Sequence, residues 1–238
     1  MKKGTWPSFL FLLLSSSMSA ATPRRECYAA ARNKLPLLEV LKSLTPAPRS
    51  VLEVSSGTGE HAETFLSHLP TIQCYQPTEL DVGMFASITD WTSAHRHACR
   101  LPIKLDVTRA EDVDLLETGT YDFLININMI HISPPETTGA LFDVSSKVLS
   151  ECGRVLTYGP YRVSGEMVES NHAFDLSLKA RDPSWGVRDL EWVASEAEKR
   201  GFVLESSQTM PANNLANIWR RKTDYSTGDT KKSTLIEY

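Results

Sequence analysis

The chain has 238 residues, of which 41% are hydrophobic, so it can bury one sizeable core, and a single domain is the default for this length. Its net charge of −4 and the lack of a basic stripe exclude nucleic acid as an expected partner. The four cysteines are widely spaced and form no CxxC or Cys/His cluster, so no metal site is expected.

The first 21 residues admit two interpretations. Lys2 and Lys3 precede an apolar run over residues 9–14, and small residues follow up to Ala21, a pattern similar to a secretory signal. Alternatively, translation from Met18 would give an ordinary N-terminus, and the fold expected for the rest of the chain favours the cytoplasm. The apolar run is too short to cross a bilayer, so we expect no stable membrane span. The predicted units are an extension (1–25), one domain (26–222) and a flexible polar tail (223–238).

Apolar periodicity predicts helices and strands that alternate along the domain. In chain order, the predicted elements are a helix over 37–44, a strand over 50–54, a helix over 60–68, a strand over 72–75, a helix over 84–94, a strand over 103–107, a short helix over 111–117, a strand over 121–127, a helix over 139–149, a strand over 154–158, a helix over 189–200, and strands over 202–210 and 215–221. Pro36 fits the first turn of the first helix, and Pro77 is expected to stop the second strand. The alternation indicates a doubly wound, mostly parallel α/β sheet that ends in an antiparallel hairpin.

The stretch VLEVSSGTGE, residues 51–60, runs from a strand into a glycine turn. It lacks the lysine of a GxxxxGK[ST] phosphate loop and the third glycine of a GxGxxG dinucleotide turn. Glu60 follows the turn at a helix N-terminus, where an unpaired carboxylate would repel a phosphate. The turn therefore favours a ligand without phosphates.

Three acidic residues are expected at the carboxyl ends of the first three strands. Glu53 lies inside the first strand, where a buried carboxylate suits a ligand ammonium group, directly or through water. Glu79 lies about twenty residues past Gly59, a spacing that suits two ribose hydroxyls. Asp106 ends the third strand, where it can accept a hydrogen bond from an adenine amino group. With Gly57 and Gly59 they predict a site for S-adenosylmethionine; the alternative is that Glu79 and Asp106 are ordinary turn residues.

Five further side chains are candidates for the same site. His131 is either a general base or a buried structural histidine, and Asp175 is a second candidate base. Asn126 is either a cofactor contact or a buried amide with backbone partners. Tyr161 follows the fifth strand, where an aromatic ring can shape an acceptor pocket, with ordinary packing as the alternative. Arg32 either binds the cofactor carboxylate or is a surface arginine.

The polar segment between the fifth strand and the last predicted helix is an unusually long insertion. We interpret it as a lid over the acceptor; the alternative is a self-satisfied loop in which Asp182 caps a turn and Arg188 is paired. Asn213 and Asn214 mark the closing turn, where at least one of them is expected to have a left-handed backbone.

These residues carry a resemblance to known proteins. The run EVSSGTG resembles motif I of class I methyltransferases, an acidic residue followed by GxGxG, except that Ser55 stands where the first glycine is usual. Segments over residues 32–221 resemble the methyltransferase-like 26 family: RNKLPLLEVL, VLEVSSGTGEHAETF, YQPTELD, NMIHISP, TYGPY, SNHAFDLSLKARDPSWGVRD and MPANNL. The resemblance implies a seven-strand methyltransferase fold whose last strand is antiparallel. It also implies an adenosylmethionine site carried onto Glu53, Gly57, Gly59, Glu79 and Asp106, and it implies no substrate.

The sequence thus predicts an S-adenosylmethionine-dependent methyltransferase with a small-molecule acceptor. The protein would align nucleophile, methyl group and sulfur, and His131 or Asp175 would take a proton from an oxygen or nitrogen acceptor; an ionised thiol would need no base. One alternative is a non-catalytic binding protein that kept the fold, since Ser55 departs from the motif. The other is an NAD(P)-dependent oxidoreductase, which Glu79 would suit but which the missing third glycine and an unpaired Glu60 disfavour.

Overall fold

The computed structural model describes residues 24–222. The predicted secretory signal, the alternative start at Met18, most of the predicted extension and the predicted tail lie outside the described residues. The described residues form seven α-helices: α1 (Tyr28–Ser43), α2 (Glu60–His68), α3 (Phe85–Trp91), α4 (Ala110–Val113), α5 (Glu136–Val148), α6 (Glu169–Arg181) and α7 (Leu190–Glu198). They also form nine strands: β1 (Ser50–Val54), β2 (Cys74–Glu79), β3 (Ile103–Lys104), β4 (Tyr121–Ile127), β5 (Leu149–Gly159), β6 (Tyr161–Arg162), β7 (Arg188–Asp189), β8 (Phe202–Met210) and β9 (Asn214–Arg221).

Seven of these strands make one sheet, in the order β3-β2-β1-β4-β5-β9-β8. Strands β1 to β5 are parallel, and β9 runs antiparallel to both β5 and β8. The predicted fold class, a doubly wound and mostly parallel sheet with a C-terminal antiparallel part, is therefore confirmed. The carboxyl ends of β1, β2, β4 and β5 lie along one edge of the sheet, which is where ligands bind in such folds.

The core consists of two apolar layers, one on each face of the sheet. One layer packs α1 and α2 on the sheet and includes Leu37, Phe65 and Tyr75. The other packs α5 and α7 and includes Phe142 and Trp219. Each fully buried side chain of this size stabilises the fold by about 1.5–3 kcal/mol, so both faces fix the position of the sheet and of its carboxyl edge.

Most predicted elements are confirmed, and four have the predicted bounds: β1, α2, β4 and β8. The position of Pro36 was wrong. Helix α1 begins at Tyr28, so Pro36 lies in its middle rather than in its first turn. A proline there removes one backbone hydrogen bond, and the helix persists because Leu37, Leu38 and Leu41 are buried against the sheet.

The expectation that Pro77 stops the second strand was also wrong, since β2 continues through it to Glu79. Tyr75 exchanges backbone hydrogen bonds with Ala98 and Arg100, so alternate residues, including Pro77, face that side of β2. There the side chain of Gln76 donates to the carbonyl oxygens of Pro77 and Leu101. This side-chain bridge takes the place of ladder bonds, so the missing amide proton of Pro77 is tolerated.

Helix α6 was not predicted, and it occupies the insertion. Its buried residues are Asn171, Asp175 and Leu178, of which two are polar, so the sequence shows no apolar stripe. The insertion begins and ends in a small parallel sheet, in which Tyr161 pairs with Arg188. The segment is therefore an ordered helix on a two-stranded base rather than a loop.

Candidate functional site

The glycine turn joins β1 to α2 at the carboxyl edge and has three residues with a left-handed backbone: Ser55 (φ 62°), Gly57 (φ 57°) and Gly59 (φ 98°). Ser55 thus has a backbone conformation that glycine adopts more readily, at a cost of about 1–2 kcal/mol. A Cβ atom at Gly59 would lie 2.7 Å from the Cα of Ile88, so this glycine permits close packing of the turn on α3. A Cβ atom at Gly57 would meet nothing within 4 Å, so there is open space above its backbone.

Glu79, the last residue of β2, is fixed against this turn. Its carboxylate accepts hydrogen bonds from the backbone N–H groups of Gly57 (2.7 Å), Leu80 (2.8 Å) and Asp81 (3.2 Å). A carboxylate has about four acceptor sites, so one remains for a ligand hydroxyl. The structure therefore brings Glu79 and the glycine turn together at the carboxyl edge.

Glu53 lies in β1 beneath the turn and is 1% exposed. Its Oε2 atom has no hydrogen-bond partner among the described residues, and neither do the hydroxyls of Ser56 and Tyr75 beside it. Burial raises the pKa of Glu53 to about 7; the hydroxyls of Ser56 and Tyr75 oppose the rise, and the charge of Glu79 adds to it. A buried carboxyl with an unused oxygen is suited to compensate a cation that binds next to it.

Asp106 lies at the same edge, two residues beyond Lys104, which is the register partner of Glu79. Its carboxylate accepts hydrogen bonds from the backbone N–H (3.0 Å) and the hydroxyl (2.7 Å) of Thr108. Partial burial would raise the pKa of Asp106, but these hydrogen bonds and the charges of Arg109 and Lys104 lower it below its ordinary value. Asp106 is therefore charged at neutral pH.

Asn126, in β4, is fully buried next to the end of β1. Its amide nitrogen donates to the carbonyl oxygen of Val54 at 3.1 Å. Its Oδ1 atom has no partner within residues 24–222. The carboxyl edge thus holds two buried acceptor oxygens without partners among the described residues, on Glu53 and Asn126. Glu53 lies two residues before Ser55 in the chain, and Asn126 is the register partner of Val54, which directly precedes Ser55.

The N-terminal part of α1 covers the other side of the turn and corrects one expectation. Glu60 is 2% exposed and accepts hydrogen bonds from the Cys27 backbone N–H (2.5 Å) and from Lys34 Nζ (3.5 Å). The expectation of an unpaired carboxylate was wrong, because these partners lie 33 and 26 residues away in the chain. Repulsion by Glu60 is therefore a weak argument against a phosphate ligand. Arg32 is exposed, and its guanidinium lies over the ring of Tyr28 at 5.5 Å.

His131 follows β4 and lies against the end of β5. Its ring packs edge-on to Phe174 of α6 at 5.5 Å, and a Cβ atom at Gly159 would lie 2.9 Å from its Nδ1. Burial, assisted by the charge of Arg188, lowers the pKa of His131 to about 4. The imidazole is therefore neutral at physiological pH, and the burial that keeps it neutral also makes it a weak base.

Asp175 and Tyr161 both have engaged polar groups. The two oxygens of Asp175 accept hydrogen bonds from Lys179 Nζ (2.6 Å) and from the backbone N–H of Val187 (2.8 Å), which ties α6 to the start of β7. The hydroxyl of Tyr161 donates to Thr157 Oγ1 at 3.1 Å, and burial raises the pKa of Tyr161 to about 12. Neither contact pattern resembles that of a general base poised for proton transfer.

A cavity of about 550 Å³ lies at the same edge, between the start of α6 and the β8–β9 turn. Tyr161 lines it, as do Met167, Val168 and Met210, none of which was predicted as a site residue. Met167 and Val168 directly precede α6, the helix that was not predicted. Asn213 also lines it and has the left-handed backbone expected in the turn (φ 57°). The pairing of the last strand with the fifth strand was the signal that could have placed this turn beside Tyr161.

Within residues 24–222, no cluster of three or more histidine, cysteine or acidic residues has the arrangement of a metal site. In the same part of the chain, no helix combines the length and the apolarity needed to cross a membrane.

Comparison with known proteins gives a family and a fold. The family model described as "Protein of unknown function (DUF938)" matches residues 24–221. An O-methyltransferase family protein from Burkholderia thailandensis superposes with a TM-score of 0.69 at 14% identity, covering 82% of this chain and 58% of that one. Human N-acetylserotonin methyltransferase, in a complex with S-adenosylmethionine, gives 0.64 at 12% identity, covering 82% and 53%. The PH0226 protein from Pyrococcus horikoshii gives 0.61 at 14% identity, covering 85% and 95%. The chain thus spans little more than half the length of the first two structures, and it shares their methyltransferase fold.

Proposed function

Since the chain belongs to the DUF938 family and has a methyltransferase fold, we propose that it binds S-adenosylmethionine and transfers the methyl group to a small-molecule acceptor. The finer resemblance, to the methyltransferase-like 26 family, is part of the same proposal. The main support for this proposal is the hydrogen bond that the Gly57 N–H donates to Glu79, because it places the carboxylate next to the open space above Gly57. Carboxylates, rather than lysine or arginine, are the charged groups that hold the ligand.

The residues of the carboxyl edge fit this cofactor group by group. Glu79 accepts the ribose hydroxyls with its remaining acceptor site, and Asp106 accepts the adenine amino group. Glu53 and Asn126 supply unpartnered oxygens on the side of the amino-acid arm, where Glu53 compensates the ammonium charge. Arg32 binds the carboxylate of that arm. When bound, the cofactor supplies an electrophilic methyl group on a sulfonium centre.

Residues that follow β4 and β5 would take the proton of the acceptor and align the acceptor with the methyl group. His131 takes the proton of an oxygen or nitrogen acceptor, as a weak base whose pKa burial lowers to about 4. A thiolate acceptor leaves it with a packing role. The ring of Tyr161 forms a wall of the acceptor site, since its hydroxyl is held by Thr157. Asp175 acts as a positioning residue that holds α6, because both its oxygens are engaged.

The proposal is tested by calorimetric titration with S-adenosylhomocysteine, the product form of the cofactor. Wild-type protein should bind it, and Glu79→Gln should bind at least about tenfold more weakly, because a hydrogen bond to a charged group contributes about 1.5–3 kcal/mol. Glu39→Gln is the matched control, since Glu39 lies on the exposed side of α1 with its side chain 70% exposed.

Three results would contradict the proposal. Equal affinities of wild-type protein and Glu79→Gln would remove Glu79 from the ribose site. Binding of NADH without binding of S-adenosylhomocysteine would favour an oxidoreductase, which Glu79 also suits. Binding of S-adenosylhomocysteine combined with no turnover across an acceptor screen would favour a non-catalytic binding protein.

A further inference from the structure

The 550 Å³ cavity lies on the acceptor side of the proposed cofactor site. Glu79 and Asp106 assign the nucleoside to β2 and β3, so an acceptor must approach from β5 and β9. Leu215 lines the cavity and is the register partner of Gly159, against which His131 packs. His131 therefore packs on the strand position that pairs with Leu215, a residue of the cavity wall.

The walls of the cavity are mostly apolar. Tyr161, Val163, Met167, Val168, Met210 and Leu215 all line it. Val168 is 50% exposed, so the apolar wall of the cavity reaches the protein surface there. Its volume is within the range of sites for small organic ligands, about 300–1,000 Å³.

Within residues 24–222, the side chains that line the cavity provide no positive charge for an anion. Of the described residues that line it, the charged one is Glu166, and none is lysine, arginine or histidine. Asn171 and Asn213 use their amide nitrogens internally, for the Asn213 carbonyl oxygen and for Ser170 Oγ respectively. Each of these amides keeps one N–H and its oxygen for a ligand, and the hydroxyls of Ser164 and Thr209 are further neutral polar groups, so the described lining offers hydrogen bonds but no positive charge.

We infer that this cavity binds an uncharged, largely apolar small molecule as the methyl acceptor and discriminates against carboxylate- and phosphate-bearing molecules. The inference rests on the proposed function, which it deepens by naming the substrate class. An anionic group in the cavity would meet Glu166 and neutral polar side chains, with no cation among the described lining residues to compensate its charge. Apolar surface of a ligand, in contrast, is removed from water against six apolar side chains.

The test uses two probes that share an indole ring and differ by an acetate group, indole and indoleacetate, with full-length protein whose methionine methyl groups are isotope-labelled for NMR. Indole should shift the methyl signals of Met167 and Met210 in a saturable way, with the signal of Met84 as an internal control, because Met84 lies beside Arg25 on the far side of the sheet edge. Indoleacetate should bind at least about fivefold more weakly. Met167→Leu and Met210→Leu assign the two signals.

Two charge variants sharpen the test. Glu166→Lys replaces the exposed cavity carboxylate by a cation and should raise the affinity for indoleacetate by about fivefold. Glu169→Lys makes the same charge change on α6 outside the cavity and should leave it unchanged. The inference would be overturned if indoleacetate bound as tightly as indole, or if the Met167 and Met210 signals stayed unshifted up to about 10 mM indole. It would also be overturned if the two variants changed the affinity for indoleacetate equally.

The results of this test can be distinguished from those of the test of the proposed function. Binding of S-adenosylhomocysteine without binding of indole leaves the cofactor site standing and refutes the acceptor class. Binding of indole at Met167 and Met210 without binding of S-adenosylhomocysteine leaves an apolar ligand site and refutes the methyltransferase.

Discussion

Glu53 shows how one side chain couples stability to the proposed function. Its pKa of about 7 against an ordinary value of 4.5 means that ionising it in the folded protein costs about 3 kcal/mol. Because the pKa is raised in the folded state, the stability is complete below pH 4.5 and falls as the pH rises through 7. A cation that binds beside Glu53 would recover part of this free energy, so the strain at this residue favours binding.

Glu53→Gln is therefore expected to stabilise the protein at alkaline pH. The free energy of unfolding of the variant should exceed that of wild-type protein by about 3 kcal/mol near pH 8 and should equal it near pH 4.5, where Glu53 is protonated. Urea unfolding at both pH values measures the difference.

Two buried histidines titrate in the same range and have the opposite sign. Burial lowers the pKa of His61 to about 3 and that of His131 to about 4, so their contribution is present above pH 6.5 and is lost as the pH falls toward those values. Both remain in the variant, and their effect cancels in the difference. A difference that does not change with pH would show that Glu53 is not the group that titrates.

At the scale of elements, the glycine turn is held by the packing of α2 on α3. Gly59→Ala should lower the free energy of unfolding by about 3 kcal/mol, because its methyl group would lie 2.7 Å from the Ile88 Cα and its φ of 98° disfavours a side chain. Gly57→Ala is the matched control: its φ is also positive, but the added methyl group enters open space, so the loss should be about 1 kcal/mol. Thermal unfolding of both variants gives the comparison, and equal losses would refute a packing role for Gly59.

The elements that could be predicted from the sequence are those whose pattern is local. Strand β4 is a continuous apolar run, and Glu53, Gly57 and Gly59 belong to one short motif, so their positions follow from a few neighbouring residues. Glu79 could be placed because the spacing from the turn to the end of the next strand varies little in such folds.

The remaining features depend on contacts between distant segments. Helix α6 buries Asn171 and Asp175 through polar contacts, so it has no apolar periodicity to detect. The pair of Glu60 and Lys34 joins two helices. The cavity combines the segment before α6 with the β8–β9 turn, which are more than 40 residues apart. Sequence patterns report secondary structure and short motifs, and they do not report which side chains meet across the sheet edge.

At the scale of the whole molecule, one sheet carries both apolar layers, so the two layers should unfold together. Phe65 is fully buried in the layer of α1 and α2, whereas Trp219 is fully buried in the opposite layer, where its indole N–H donates to Thr157. Phe65→Ala should cost about 3–5 kcal/mol and should lower the urea midpoints measured by far-UV circular dichroism and by tryptophan fluorescence equally.

Tyr28→Ala removes an aromatic ring that is 81% exposed at the start of α1, and as a control it should move both midpoints much less. Leu52 and Val51 are neighbours in β1 but belong to opposite layers, so separation of the strands disrupts both layers. If the strands separate in a single step, the two midpoints of Phe65→Ala coincide. A fluorescence midpoint that stays at the wild-type value while the circular dichroism midpoint falls would mean that the two layers do not unfold together. In that case the carboxyl edge would be an interface between two separately stable layers, and ligand binding there would stabilise both layers at once.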